Sequence, residues 1–371
     1  MTPHAGLERR VLAAIEAVPP RIPVLLGGCG SGRTTALHAL TDRLGRDDCQ
    51  YVDIERSAST PERFLHALVS TSPFQSIPSD GPKSAREAFD HVLAYFARAR
   101  ANGRTATFLL DEVLELRTFE SFPGLRHVLR ELLQALSESG NRFVLTSRYV
   151  ARAHRLLRDG TARFEVIHLP ALSRSEVAGM LPSSPATEDR EFLSRTIQAL
   201  ADGRAAYVRA ISEATAAMSG RGGDPISALT ALLTSDGALT TWCGYRYELR
   251  LHRARGYGAL KAILEILAED EPLTLTEIAH RLQRTPGSTK DYLSWLEDVD
   301  LVVSRQKRYS FSDPLLRLWV RLHCRPVPPT VDEVAREVQN YAVARLPQPE
   351  PTMAMAGTAT DRRSVGIIEI D

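Results

Sequence analysis

Ile22-Pro23-Val24-Leu25-Leu26-Gly27-Gly28-Cys29-Gly30-Ser31-Gly32-Arg33-Thr34-Thr35 is the stretch whose reading decides the fold. A compact apolar run stops at a glycine-rich loop, and the residues from Thr34 to Leu44 then place Leu37, Leu40 and Leu44 on one helical side. Strand, glycine loop and helix follow in that order. Gly27-x-x-x-x-Gly32-Arg33-Thr34 fits the phosphate-loop pattern GxxxxGK[ST] at every defined place except the lysine, which is Arg33. Glycines let successive backbone N–H groups turn inward around a phosphate chain. The following helix adds its positive N-terminal end, and a hydroxyl at Thr34 suits Mg²⁺. Arg33 keeps the charge of lysine but is bulkier and offers a planar fork. Gly27, Gly28, Cys29, Gly30, Ser31, Gly32, Arg33, Thr34 and Thr35 are therefore the expected phosphate cradle.

Outward from this loop, short β-prone runs recur at Tyr51 to Ile54, Ala106 to Leu110, Phe143 to Leu145 and Phe164 to Leu169. Helical stretches such as Ala85 to Arg100 and Leu125 to Ser137 separate them. Strands alternating with helices predict a mainly parallel sheet covered on both faces. Phe108-Leu109-Leu110-Asp111-Glu112 ends one strand in two acids, which a parallel sheet delivers to its carboxyl edge beside the phosphate loop. Asp111 is placed to hold Mg²⁺ and Glu112 to polarise an attacking water. The pair resembles the Walker B motif of hydrolytic P-loop ATPases.

Phe143-Val144-Leu145-Thr146-Ser147-Arg148 resembles the sensor-1 strand of AAA+ ATPases, and its Thr-Ser-Arg ending is most similar to the STAND signalling ATPases. In them the arginine contacts the γ-phosphate, a role the resemblance gives to Arg148. Pro170-Ala171-Leu172-Ser173-x-x-Glu176 resembles the start of the lid in the same group, with Ser173 and Glu176 spaced as a capping box. Asp202-Gly203-Arg204-Ala205-Ala206-Tyr207-Val208 resembles both the Gly-x-Pro-x-Tyr motif of archaeal-type ATPases and the sensor-2 segment of AAA+ initiators. It departs from the first at Ala205, where proline is expected. The second implies that Arg204 reaches the nucleotide. Arg163 precedes the fifth strand, where many AAA+ proteins carry an arginine finger; a surface arginine capping a turn is the weightier reading.

Residues from about Tyr257 to His323 read as a winged helix-turn-helix. Helices are expected at Leu260–Ala268, Thr276–Leu282 and Ser288–Glu297, with a β-prone pair at Leu301–Val303 and Tyr309–Phe311. The second motif helix is nearly neutral, since Lys290 is offset by Asp291, Glu297 and Asp298. DNA contact through this unit therefore rests on the wing residues Arg305, Lys307 and Arg308, which would meet phosphates without reading sequence. A further basic cluster, Arg246, Arg250, His252, Arg253 and Arg255, reads either as a nucleic-acid or subunit patch or as a solvated helix face. Trp242, Tyr245 and Tyr247 alternate with basic residues, a pattern that can stack on bases; packing between lid and winged helix is the weightier reading.

Composition bounds the rest. The chain has 371 residues, 43% hydrophobic and 25% charged, with 46 Lys plus Arg against 45 Asp plus Glu. A formal charge of +1 excludes a globally basic DNA-coating protein and says nothing of local patches. Four scattered cysteines without a CxxC pair point to reduced thiols and a cytoplasmic protein. Leu26-Gly27-Gly28-Cys29 looks like a lipoprotein cleavage box, but Glu16, Pro19, Pro20, Arg21 and Pro23 break any apolar signal region before it. No membrane association is expected.

The expected fold class is α/β: a P-loop NTPase with a parallel sheet flanked by helices, then a helical lid and a winged helix-turn-helix. The expected partition is a P-loop ATPase core over 1–170, a helical lid over 171–240, a linker and winged helix over 241–330, a C-terminal helix over 331–346 and a disordered tail over 347–371. ATP and Mg²⁺ are the implied cofactors, with Thr34 and Asp111 as metal ligands and Glu112, Arg148 and Arg33 as catalytic groups. The primary expectation is a slowly hydrolysing AAA+/STAND-type switch that associates with itself on ATP binding and controls a protein partner. A DNA-dependent AAA+ ATPase and a non-hydrolysing nucleotide-binding scaffold are the alternatives.

Overall fold

The computed structural model describes residues 5–74, 81–158, 163–181, 187–218, 224–252 and 256–346. Strands β1 (Ile22–Leu26), β2 (Cys49–Asp53), β3 (Thr107–Asp111), β4 (Arg142–Ser147) and β5 (Phe164–His168) form one sheet in the order β2-β3-β4-β1-β5. Every pairing in it is parallel. The two-residue period of a strand sends alternate side chains to opposite faces. Leu25, Leu109, Val144 and Ile167 accordingly join one apolar cluster with Val11 and Ile15 of helix α1 (Ala5–Glu16). Val24, Leu26, Phe108, Leu110, Phe143 and Leu145 join the cluster on the other face. There Phe108 stacks on Phe143 at 5.4 Å between ring centroids and 12° between planes, with Phe96 edge-on to both.

Register then positions the site. Leu26 lies opposite Ser147 and Leu110 opposite Leu145, so β1, β3 and β4 end together at one edge of the sheet. The glycine loop, Asp111-Glu112 and Ser147-Arg148 leave that edge side by side. Helix α2 (Arg33–Leu44) starts directly from the loop, with Gly32 in a left-handed conformation before it.

Beyond the sheet, the Ser173–Glu176 capping box forms as the spacing predicts. Helices Tyr257–Glu269, Leu275–Arg281 and Pro286–Asp298 build the helix-turn-helix. The wing is Val302–Arg305 paired antiparallel with Arg308–Phe311, which also pairs with Leu273–Thr274. That third strand escaped the sequence reading because two residues carry no period, and Thr274 doubles as the cap of the next helix. Helix Ala238–His252 runs through position 240 without a break. Helix Val331–Arg345 packs back on the lid, where the Tyr341 hydroxyl donates to the Leu200 carbonyl at 3.0 Å.

No helix among the described residues is long and apolar enough to cross a membrane. The four cysteines are free thiols. The expected tail over 347–371, most of the glycine-rich break at Gly220 to Pro225, and Arg253 and Arg255 of the basic cluster lie outside the described residues.

Candidate active site

The site is assembled from the loop upward. Gly30 and Gly32 adopt φ of 78° and 97°, values open to glycine at little cost, and these turns curl the loop. Arg33 does not extend outward from it. Its Nη1 donates to the Gly28 carbonyl at 2.7 Å and also to the Gly27 carbonyl, while its Nη2 meets Glu112 Oε1 at 2.6 Å. The planar fork thus clips the loop to the end of β3, with both partners about 8% exposed. A lysine ammonium has no second nitrogen with which to hold both sides.

Thr34 Oγ1 donates to Asp111 Oδ2 at 2.7 Å, which brings the two expected metal ligands together. A hydroxyl beside a carboxylate is an oxygen donor pair of the kind Mg²⁺ takes, so these residues fit that ion. Asp111 is fixed further by the Tyr51 hydroxyl at 3.0 Å and the Thr146 hydroxyl at 2.5 Å. Thr35 is exposed on the first turn of α2.

Glu112 carries the most constrained geometry. Its φ is 57°, a left-handed conformation rare outside glycine, and its N–H donates to Thr146 Oγ1 at 2.9 Å. Oε2 accepts from the Arg148 N–H at 3.0 Å, and the Arg148 guanidinium stands at 3.2 Å. Burial works to raise the Glu112 carboxyl; Arg33 and Arg148 overcome it and hold the group below its ordinary range. Arg148 is also ion-paired to Glu55 at 2.5 Å and Glu115 at 3.5 Å, so acids surround the expected γ-phosphate sensor.

The lid and the winged helix meet the loop directly. Arg204 Nη1 donates to the Cys29 carbonyl at 3.1 Å and lies 3.4 Å from Asp313 Oδ2; its Nη2 donates to the Ser312 carbonyl. The Ala206 N–H donates to the Gly30 carbonyl at 3.0 Å. A Cβ on Gly28 would meet Arg204 Nη1 at 2.8 Å, so glycine is what lets this arginine approach the backbone. Asp313 caps helix Pro314–His323 and accepts from the Tyr207 hydroxyl at 2.7 Å. An Asp-Pro pair signals a cap in sequence; nothing local signals the bond to Tyr207.

The structure decides the roles of two basic residues. Arg250 is buried, with Nη2 at 2.6 Å from Cys29 Sγ, so it is neither a solvated side chain nor an exposed nucleic-acid contact. Arg163 sits at the start of β5, the edge of the sheet away from the loop, and donates to the carbonyls of Pro20, Ser137 and Ser139. It is a structural cap, the weightier of the two expected roles. Trp242 packs edge-on to Tyr207 and Tyr247 against Trp319, while Tyr245 is exposed. On the wing, Arg305, Lys307 and Arg308 are all exposed.

The Walker-type ATPase PABY2304 of Pyrococcus abyssi superposes with a TM-score of 0.65 at 18% identity, over 86% of this chain and 96% of that one. The fold is that of a Walker-type P-loop ATPase. A family model described as winged helix-turn-helix DNA-binding matches residues 259–303. Cdc6p of Pyrobaculum aerophilum also matches, with TM-score 0.42 and 13% identity over 94% of this chain and 96% of that one. So does the Orc1 protein of Aeropyrum pernix, solved in complex with DNA, with TM-score 0.44 and 18% identity over 93% and 95%. A search of curated proteins finds no match.

Proposed function

We propose that this Walker-type chain binds ATP with Mg²⁺, hydrolyses it slowly, and uses the exchange to move its lid and winged helix as a STAND-like switch. The observation that carries the reading is the hydrogen bond between Thr34 and Asp111 at 2.7 Å, beside a glycine loop and next to Glu112. Mg²⁺ held by Thr34 and Asp111 would draw charge from the phosphate oxygens. Glu112 would orient and polarise the attacking water, and Arg148 and Arg33 would balance charge on the phosphates.

Slow turnover follows from the arginine pairs. Both Glu112 oxygens are engaged by guanidinium or backbone donors, and a carboxylate held below its ordinary range is a weak base. Freeing it breaks two charge-assisted contacts in a buried place, and such contacts contribute about 1.5–3 kcal/mol each. Arg204 supports the switching step, because one guanidinium touches the loop at Cys29 and the winged-helix unit at Ser312 and Asp313.

A second reading, DNA-dependent turnover, is favoured by the exposed wing residues Arg305, Lys307 and Arg308 and by the winged-helix family match. Against it, Arg155 of the helix Val150–Leu157 pairs with Asp298 at the end of the second motif helix, so the ATPase core covers that end. Steady-state ATP turnover with and without duplex DNA, with Glu112→Gln as blank, tests both. Slow turnover indifferent to DNA is expected. Stimulation by DNA that is lost on neutralising Arg305, Lys307 and Arg308 would establish the second reading, and no turnover above the blank would overturn both.

A further inference from the structure

Helix Ala238–His252 brings two arginines to the glycine loop that neither the phosphate-loop pattern nor the sensor motifs assign. The Arg246 guanidinium carbon lies over Trp242, 3.3 Å from the ring centroid, and Nη1 stands beside the loop. A Cβ on Gly30 would stand 3.7 Å from that nitrogen. Nη1 is buried and, among the described residues, has no hydrogen-bond partner. A buried guanidinium donor without an acceptor costs free energy that an anion at this place would recover. One turn further along the helix, Arg250 is held against Cys29 Sγ at 2.6 Å and against the Asp300 carbonyl at 3.1 Å. Both arginines border a crevice that Arg117, Arg148 and Cys29 also line.

Asp300 belongs to the winged-helix unit, in the turn between the second motif helix and the first wing strand, with φ of 56°. Its carboxylate reaches the loop: a Cβ on Gly28 would lie 3.1 Å from Oδ2. Burial raises its carboxyl to about 6 even though Arg250, Arg204 and Arg33 act in the opposite sense. An acidic group pressed onto a loop built for phosphate, among arginines, is in the place of a competitor.

We propose that Arg246 and Arg250 are phosphate-binding residues of the nucleotide site, and that the Asp300 carboxylate competes with the phosphates for it. This rests on the nucleotide reading above and adds its consequence. A phosphate chain seated in the loop displaces Asp300 and so loosens the winged helix from the core; a docked winged helix weakens nucleotide binding. The cation–π contact with Trp242 holds Arg246 beside the loop, so less side-chain entropy is left to lose on binding.

The test is the dissociation constant for ATP, with tripolyphosphate as a second probe that carries no base, measured on the full chain and three variants. Asp300→Asn keeps the size and tolerates the left-handed backbone. It removes a negative charge beside the phosphates, so ATP and tripolyphosphate should both bind roughly tenfold tighter. Arg246→Gln should weaken both about tenfold or more, the loss of one charge-assisted contact. Arg250→Lys keeps the charge in a buried place and should weaken both by a smaller factor.

Wild-type protein that binds ATP, with Asp300→Asn or Arg246→Gln binding both probes just as well, would overturn the inference and leave the nucleotide reading standing. ATP bound by neither the wild type nor Asp300→Asn would overturn the two together. Binding seen only in Asp300→Asn would support the competition in its strongest form.

Discussion

At the scale of the residue, Arg33 matters most. In place of the lysine that the phosphate-loop pattern calls for, it bonds the Gly27 and Gly28 carbonyls with one nitrogen and Glu112 with the other. Arg33→Lys should therefore preserve ATP turnover or raise it, by releasing Glu112 while keeping one positive charge at the loop. Steady-state hydrolysis at saturating ATP checks this, and a fall in rate would contradict the account of Arg33. Its charge was legible in the sequence. Its direction was not, because an arginine after a glycine loop can reach outward or fold back, and only the position of Glu112 decides. Glu112 itself stood out as the second of two acids closing a strand, whereas its left-handed backbone has no local signature in a non-glycine residue.

At the scale of the element, the sheet was read almost strand for strand, because each central strand is a bounded apolar run. Phe108, Leu109 and Leu110 are fully buried, as a strand covered on both faces requires. Phe108→Ala would leave a hole beside Phe143, Phe96 and Phe74, and large-to-small changes of this kind cost about 3–5 kcal/mol. A urea titration should show the midpoint fall with little change of slope; an unchanged midpoint would mean that the aromatic cluster repacks. Contacts between elements were less legible. Arg250 and Arg246 looked like members of an exposed basic stripe, since spacing along a helix says which side chains share a face and not what that face meets. Asp300 and Asp313 carried no signal of their contacts with lid and loop, because their partners are distant in sequence.

At the scale of the whole molecule, the phosphate loop is where three parts meet. The sheet supplies Asp111 and Glu112, the lid supplies Arg204 and the Ala206 N–H, and the winged-helix unit supplies Asp300, Ser312 and Asp313. A ligand that rearranges the loop would act on all three, and the proposed coupling of nucleotide to the winged helix rests on this juxtaposition. Amide hydrogen exchange across the full chain, with and without Mg²⁺ and ATP, tests that coupling most directly; Glu112→Gln would hold the nucleotide unhydrolysed. Slower exchange is expected in the loop and α2, together with faster exchange in Pro286–Asp298 and Val302–Arg305 as the winged helix loosens. Protection confined to the loop, with those two segments unchanged, would contradict it.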